Sequence, residues 1–205
     1  MRAGAAVSAS TKRASGCGPC AVAIGSANLF AGTNGDADGT AGAGSVGFEV
    51  AGAALNLAIV KPVSTGPPTP TYVGLDAALT AASLVGVGGV DLQVTGSALI
   101  NRVTDDAGVP DSTAQRLDWF SAAANDSTSL LPEFSDRLTS SRELVVEGGA
   151  SLEVFGVLVA LGEVAVEISD VTVDDGSIAP FSADALSISI TSASAFIGTG
   201  AALSG

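Results

Sequence analysis

An acidic turn in the first fifth of the chain has the residue types of a calcium loop. Asn34, Asp36 and Asp38 occupy alternate positions and Gly39 follows, which gives the spacing N-x-D-x-D-G. Alternate side chains of such a loop converge their oxygen atoms on one ion, and the glycine permits a sharp turn. The position of the bidentate Glu that completes an EF-hand loop holds Ser45. The pattern therefore predicts half of a calcium site or, alternatively, an ordinary solvated turn.

A second acidic turn lies near the C-terminus, where Asp174 and Asp175 precede a glycine. Asp and Gly are common in turns because both tolerate left-handed backbone conformations. Calcium bound at such turns would also relieve the self-repulsion of a chain whose net charge is −13. We predict calcium as a cofactor, with candidate ligands Asn34, Asp36, Asp38, Asp174 and Asp175.

The two cysteines, Cys17 and Cys20, form the sequence C-G-P-C of thioredoxin-like redox proteins. In those proteins the motif opens a helix after a strand, and the helix N-terminus lowers the pKa of the thiol. Here Gly and Ser precede the motif and the strand-like residues 21–24 follow it, so the order is reversed. The sequence favours two incidental thiols or a local disulfide, with thiol–disulfide exchange as the alternative.

Other constellations that carry enzyme chemistry do not occur in the sequence. There is no His, the commonest general base and metal ligand. Two Cys without His cannot supply the four ligands of a structural zinc site within one chain. No G-x-G-x-x-G, Walker or G-x-S-x-G sequence occurs, and no serine has an evident base beside it. We therefore expect a protein that is not an enzyme.

The composition predicts a core of small aliphatic side chains, since 47% of the residues are hydrophobic and only 4% are aromatic. Lys and Arg number 8 against 21 Asp and Glu. Nucleic acid is excluded as an expected partner, because affinity for phosphate backbones comes from Lys and Arg. The same acidity is typical of adaptation to high salt. No apolar run approaches the roughly 18–20 residues of a transmembrane helix, and no conventional signal peptide is recognised at the N-terminus.

Apolar residues alternate with polar ones along several segments. From Leu144 to Ile168 the even positions are mostly apolar and the odd positions mostly polar. The segments 46–50, 90–94 and 186–190 alternate in the same way. A period of two places side chains on opposite faces of a sheet, and one wet face favours antiparallel or solenoid-edge strands. The sequence predicts an all-β fold, either an irregular β-solenoid or prism or stacked antiparallel sheets.

Two segments interrupt this pattern. Residues 61–70 are rich in Pro and predict a loop, and residues 104–142 predict an inserted loop–helix segment. Ser112 and Gln115 have the spacing of a capping box, which predicts a short helix over about 113–124. Trp119 is expected to anchor this insertion on the sheet.

The two ends of the chain resemble each other. Residues 22–33 and 188–199 share Ser, Ala, Phe, Gly and Thr at one constant offset, with Phe30 matching Phe196. We take Phe30 and Phe196, with Trp119, as packing anchors. The organisation expected from this is a flexible tail over 1–20 and a single β-rich repeat unit over 21–205, in which 184–205 begin the next repeat.

The segments Leu144–Phe155 (LVVEGGASLEVF), Val171–Gly176 (VTVDDG) and Ala183–Phe196 (ADALSISITSASAF) resemble the long Ala/Gly/Val-rich β repeats of giant secreted bacterial proteins, which are RTX-associated or adhesin-like. The resemblance covers residues 21–205. It lies in the general style of the repeats, because the RTX nonapeptide itself does not occur in the sequence. It implies an extracellular or cell-surface location and a structural or adhesive role.

We therefore expect a structural repeat unit of a bacterial surface or filament protein, which associates end to end with its own copies through unfinished strand edges. The alternative is an adhesin-type module whose segments 61–70 and 104–142 bind glycan or protein surfaces.

Overall fold

The computed structural model describes residues 4–13, 20–63, 69–105, 108–111, 114–200 and 202–203. The strands in chain order are β1 (Gly4–Arg13), β2 (Cys20–Gly35), β3 (Ala41–Val60), β4 (Thr71–Val85), β5 (Val90–Thr104), β6 (Arg142–Val154), β7 (Leu158–Val173) and β8 (Phe181–Ile197). One short helix, α1 (Trp119–Ala124), lies between β5 and β6.

The strands form one open sheet in which each strand pairs antiparallel with its neighbours in sequence, in the order β1 to β8. Antiparallel neighbours need only a tight turn between them, and the longest connection is the insertion between β5 and β6. β1 and β8 are the two edges of the sheet. The prediction of an all-β fold with one short helical insertion is confirmed, whereas the finer form, a solenoid, prism or stack of sheets, stays a prediction.

The alternation of the sequence continues from strand to strand across the whole sheet. Because the ladders keep register, apolar residues of successive strands lie side by side in rows. One row contains Val22, Leu57, Leu75, Ile100, Leu144, Ile168 and Leu186. We call the sheet surface that bears this row and its parallel neighbours the apolar face. The opposite surface carries the acidic strand residues of the sheet interior, Glu147, Glu163 and Glu167 among them, and is called the insertion face.

The segment between β5 and β6 packs on the insertion face. Trp119, Phe134 and Leu138 of this segment are buried against Leu99 of β5 and Val145 of β6. The molecule's packed core therefore lies on the mostly polar face of the sheet. The alternation predicts that the apolar face is the buried one. On β6, however, Val146 of the apolar face is 38% exposed, whereas Val145 of the insertion face is 2% exposed.

The helix of the insertion begins later than the sequence predicts. Its N-cap is Asp118, whose carboxylate accepts a hydrogen bond from the backbone N–H of Ser121 at 2.8 Å. The predicted start near 113 is wrong, because residues 114–118 are not helical and Asp118 caps a helix that begins at Trp119. Ser112 itself lies outside the described residues.

The glycines that interrupt the longest apolar run have three different roles. Gly156 lies in the turn between β6 and β7 with a φ of 65°, after Phe155 with a φ of 50°. Gly162 lies where the register of β7 and β8 shifts, which is a bulge. Gly148 lies in an unbroken ladder opposite Gly96 of β5.

The N-terminal segment predicted as a flexible tail contributes a strand. Residues 4–13 form β1, which pairs with β2 from Gly4 opposite Phe30 to Arg13 opposite Cys20. Loop 61–70 falls between β3 and β4, and the insertion falls between the ends of β5 and β6.

A single sheet layer with one docked segment leaves a large surface in water. The accessible surface of the chain is 12225 Å². A compact monomer of 19.8 kDa would expose about 8600 Å². The difference reflects a single sheet layer, in which the insertion covers part of one face and no segment of the described chain covers the apolar face.

Candidate functional site

The insertion is anchored by a buried hydrogen-bond network between Trp119 and Asn101. The indole Nε1 of Trp119 donates to Oδ1 of Asn101 at 3.0 Å. The Nδ2 of Asn101 donates to the carbonyl oxygens of Leu117 at 2.7 Å and Thr139 at 2.8 Å. Both side chains are 0% exposed. Asn101, near the C-terminal end of β5, therefore ties Leu117 and Thr139 of the insertion to the sheet.

Gly74 of β4 makes room for this anchor. A Cβ atom at position 74 would lie 2.5 Å from Cδ2 and Cε2 of Trp119. The indole therefore packs flat against backbone, and its ring centroid lies 5.3 Å from that of Phe134. Trp119 takes the place expected of a packing anchor and closes off the space between the insertion and the sheet.

Arginines of the insertion bind carboxylates of the insertion face. Arg137 donates to both carboxylate oxygens of Glu147, at 2.6 and 2.7 Å. This bidentate pair holds the pKa of the Glu147 carboxyl below its usual value. Arg142, at the start of β6, donates to Glu167 of β7 at 3.0 Å. Arg137 thus ties the insertion to an acidic sheet surface.

A cleft of about 440 Å³ lies at the end of β5, β6 and β7 beside the insertion. Arg116 projects into it and forms ion pairs with Glu143 at 3.5 Å and with Asp170. Arg102 lies 3.9 Å from Glu143 on the other side. Asp111 and Asp184 also line the cleft, which is therefore an acidic seam between insertion and sheet.

Of the predicted calcium residues, Asp36 and Asp38 lie in the turn between β2 and β3, and Asn34 lies at the end of β2. Asp38 accepts hydrogen bonds from the backbone N–H of Thr40 at 3.1 Å and from its hydroxyl at 2.6 Å. Both bonds lower the pKa of the Asp38 carboxyl, and the bond from the Thr40 hydroxyl has the larger effect. Asn34 turns its amide toward the carbonyl of Gly44 at 3.1 Å. The carboxylate of Asp38 thus stabilises its own turn, and calcium binding stays a prediction.

Asp174 and Asp175 lie in the turn between β7 and β8 and act in the same way. Asp174 accepts from the N–H of Gly176 at 2.9 Å, and Asp175 accepts from those of Ser177 and Ile178 at 2.8 and 3.0 Å. These backbone hydrogen bonds lower the pKa of the Asp175 carboxyl. The turn is far from the other acidic turn in the sheet order, since β2 and β7 are separated by four strands.

Cys20 is the first residue of β2 and is an exposed free thiol. Cys17 lies outside the described residues, so the redox alternative stays a prediction. The strand that follows Cys20 keeps the order opposite to that of a thioredoxin-like motif.

Phe30 and Phe196 lie in matching sequence contexts but in different surroundings. Phe30 in β2 is 1% exposed, and Cβ atoms at Gly32 and Gly47 would lie 2.8 and 2.9 Å from its Cζ. Phe196 in β8 packs over Gly198, where a Cβ would lie 2.9 Å from its Cζ, but the ring is 54% exposed. Phe30 is packed by Gly35 of its own strand and by Gly47 of β3, whereas no strand of the described chain lies beyond β8.

Sequence reasoning did not find Asn101, Gly74 or the arginines of the insertion. The arginines had a signal, because Arg102, Arg116, Arg137 and Arg142 cluster in one stretch of a strongly acidic chain. Asn101 and Gly74 had none, since an isolated Asn or Gly in a strand occurs for many reasons.

No protein-family model, curated protein or solved structure matches this chain. The helix of the described part of the chain is too short to cross a membrane.

Proposed function

We propose that the chain is a non-enzymatic structural unit of an extracellular bacterial surface or filament protein. Its role is to extend a sheet by pairing its edge strand with a strand of a neighbouring copy. The contrast between Phe30 and Phe196 carries this proposal.

β2 and β8 share Ile, Ser, Ala and Phe at one offset, with Phe30 matching Phe196. β2 pairs on both sides, with β1 and with β3. β8 pairs with β7 alone, and its side chains are exposed along most of its length. A strand with the residues of β2 is therefore suited to accept a second partner.

An added strand would complete the environment of Phe196. In β2, the neighbouring strand β3 places Gly47 against the Phe30 ring. A strand beside β8 with a small residue at the matching place would cover Phe196 in the same way. Burying an aromatic ring removes a large apolar area from water, which favours association. Edge pairing of β8 with β1 of another copy is head-to-tail and does not close, so it produces a linear series.

Phe196→Ala tests this proposal, with Phe181→Ala as the matched control. Both rings lie in β8 and are about half exposed, 54% and 47%, but only Phe196 matches the buried Phe30. We expect the wild-type chain to sediment as a concentration-dependent series, Phe196→Ala to end that series at one small species of fixed size, and Phe181→Ala to leave the series unchanged. A wild-type chain that stays monomeric at every concentration would contradict edge pairing.

Of the two finer forms of the fold, we propose stacked antiparallel sheets between copies. A meander in which every strand pairs with its sequence neighbour supports stacking better than winding into a solenoid.

We also propose that calcium stabilises the unit through the acidic turns. Binding that is confined to the folded form raises its melting temperature. We expect millimolar calcium to raise the melting temperature by several degrees over that in chelator, and Asp36→Asn with Asp38→Asn to reduce the difference. The same shift in wild type and variant would point to non-specific screening.

The adhesin alternative keeps one supporting feature, the insertion exposed on one face of the sheet. Its anchoring by Trp119 and Asn101 favours a fixed surface over a free loop. Full binding to glycan or protein surfaces after removal of the insertion would exclude it as the adhesive element.

A further inference from the structure

The apolar face of the sheet is continuous over seven strands. Its second row contains Ile24, Leu55, Ala77, Ala98, Val146, Val166 and Ile188. Its third row contains Ala27, Ala53, Leu79, Gly96, Gly148, Val164 and Ile190. Together with the row from Val22 to Leu186, these residues form a surface without a charged side chain, and the next row, at its border, contains Arg102, Asp170 and Asp184.

The face is accessible as well as apolar. Val146 and Val164, in the middle of β6 and β7, are 38% and 43% exposed. Leu186, Ile188 and Ile190 of β8 are exposed by 63% or more. Exposed apolar surface on this scale is unusual for a soluble monomer and marks a contact surface.

We propose that this apolar face is the contact surface of a face-to-face homodimer. The inference is independent of edge pairing, because it uses side chains of the face and leaves the backbone of the edge free. A second copy brings an identical apolar face, and a two-fold axis brings the same patch of each copy into contact. Two sheets packed in this way lie about 10 Å apart.

The distribution of charge favours a second copy as the occupant. The chain has a net charge of −13, and the carboxylates Glu147, Glu163 and Glu167 all lie on the insertion face. In a face-to-face dimer the two acidic faces point outward, with both sheets between them. The distance between these faces exceeds the Debye length of about 8 Å at physiological salt, so their repulsion is screened. A lipid surface fits less well, since helices or patches that bind membranes carry Lys and Arg around the apolar residues.

The available area also meets what a dimer needs. A standard interface buries about 800 Å² per partner. The accessible surface of 12225 Å² exceeds that of a compact monomer of the same mass by about 3600 Å². Burial of the apolar face in a dimer would thus remove only part of the excess accessible surface of the single sheet layer.

The test uses two cross-strand pairs on adjacent rungs of β7 and β8. Val164 lies opposite Ile190 on the apolar face, and Ala165 lies opposite Ser189 on the insertion face. The double variant Val164→Thr, Ile190→Thr keeps β-branched residues but adds two hydroxyls to the proposed interface. The double variant Ala165→Thr, Ser189→Thr is the control, with the same final residues on the other face. Circular dichroism checks that both remain folded.

Each double variant is made in the Phe196→Ala chain, so that edge pairing and face pairing are separated. Sedimentation velocity should find a dimer in the Phe196→Ala chain and in the control. The dissociation constant should be at least about tenfold higher in the apolar-face variant, since two buried apolar groups become polar.

Three outcomes would overturn the proposal: a Phe196→Ala chain that is monomeric at all concentrations, equal weakening by both double variants, or a monomer that co-sediments with phosphatidylcholine vesicles. The first of these leaves edge pairing intact if the wild-type chain still forms its series.

Discussion

At the scale of single residues, the anchor of the insertion depends on one amide. Asn101 satisfies the indole N–H of Trp119 and two backbone carbonyls in a site from which water is excluded. A buried polar group that loses its partner keeps the full cost of its desolvation. The amide thus fixes where the insertion lies, while the aromatic rings fill the space around it.

Asn101→Leu tests this role. The substitution leaves the Trp119 N–H and the carbonyls of Leu117 and Thr139 without a partner, so we expect the free energy of unfolding to fall by about 2–4 kcal/mol. Urea unfolding followed by Trp119 fluorescence measures it. Gln93→Leu, an exposed position of the same strand, is the control and should change the free energy little. Equal effects of the two substitutions would mean that Asn101 has no special role.

The ion pair of Arg137 and Glu147 makes the stability depend on pH. The arginine lowers the pKa of the Glu147 carboxyl in the folded state. A carboxyl with a lowered folded pKa stabilises the fold above its unfolded value, and this contribution is lost as the pH falls through the folded value.

Arg137→Gln should therefore lower the free energy of unfolding at pH 7. It should leave that free energy unchanged at a pH low enough to protonate Glu147 in both the folded and the unfolded state. Both side chains are more than a third exposed, so we expect only about 0.5–1 kcal/mol at pH 7. Urea unfolding of both proteins across the acid range measures the difference. A difference that is constant with pH would exclude the ion pair as its cause.

At the scale of elements, the insertion and β4 fit together because Gly74 has no side chain. A Cβ at this position would lie within 2.5 Å of two indole atoms of Trp119, and overpacking of this kind costs about 1–3 kcal/mol.

Gly74→Ala should therefore lower the melting temperature and make the insertion more sensitive to limited proteolysis. Gly88→Ala is the control, since nothing lies within 4 Å of a Cβ there. Unchanged proteolysis of the insertion in Gly74→Ala would show that its docking does not depend on this contact.

The sequence predicted the strands well and their surroundings poorly. Alternation along 46–50, 90–94, 144–168 and 186–190 correctly indicated sheet, because period-two patterning is a local property. It could not show that Val145 and Leu99, on the mostly polar face, become the buried core. Their burial depends on a segment that folds back from β5, and this long-range contact leaves no local pattern.

The candidate site was predicted in part for the same reason. Trp119 stands out because it is the single tryptophan, whereas its partner Asn101 follows an ordinary apolar run. The acidic turns were evident from Asp and Gly spacing, but the hydrogen bonds of Asp38 and Asp175 to their own turns require three-dimensional geometry. The helix start also required geometry, since Asp118 and Ser112 are both acceptable caps by residue type.

At the scale of the whole molecule, the chain is a sheet with much of its apolar surface uncovered. Folding of a domain depends on burying apolar area to offset the loss of conformational entropy. The insertion covers part of one face, and the opposite face and the β8 edge remain open. We infer that association with other copies supplies the missing burial, along the edge and across the apolar face.

Hydrogen–deuterium exchange of β8 as a function of protein concentration tests this inference most directly. Amides of an edge strand that point away from the sheet exchange quickly unless a further strand pairs with them. We predict that amides in Phe181–Ile197 gain protection as the concentration rises, while those of the central strand β5 stay equally protected. Exchange in β8 that does not change with concentration would contradict extension of the sheet through this edge.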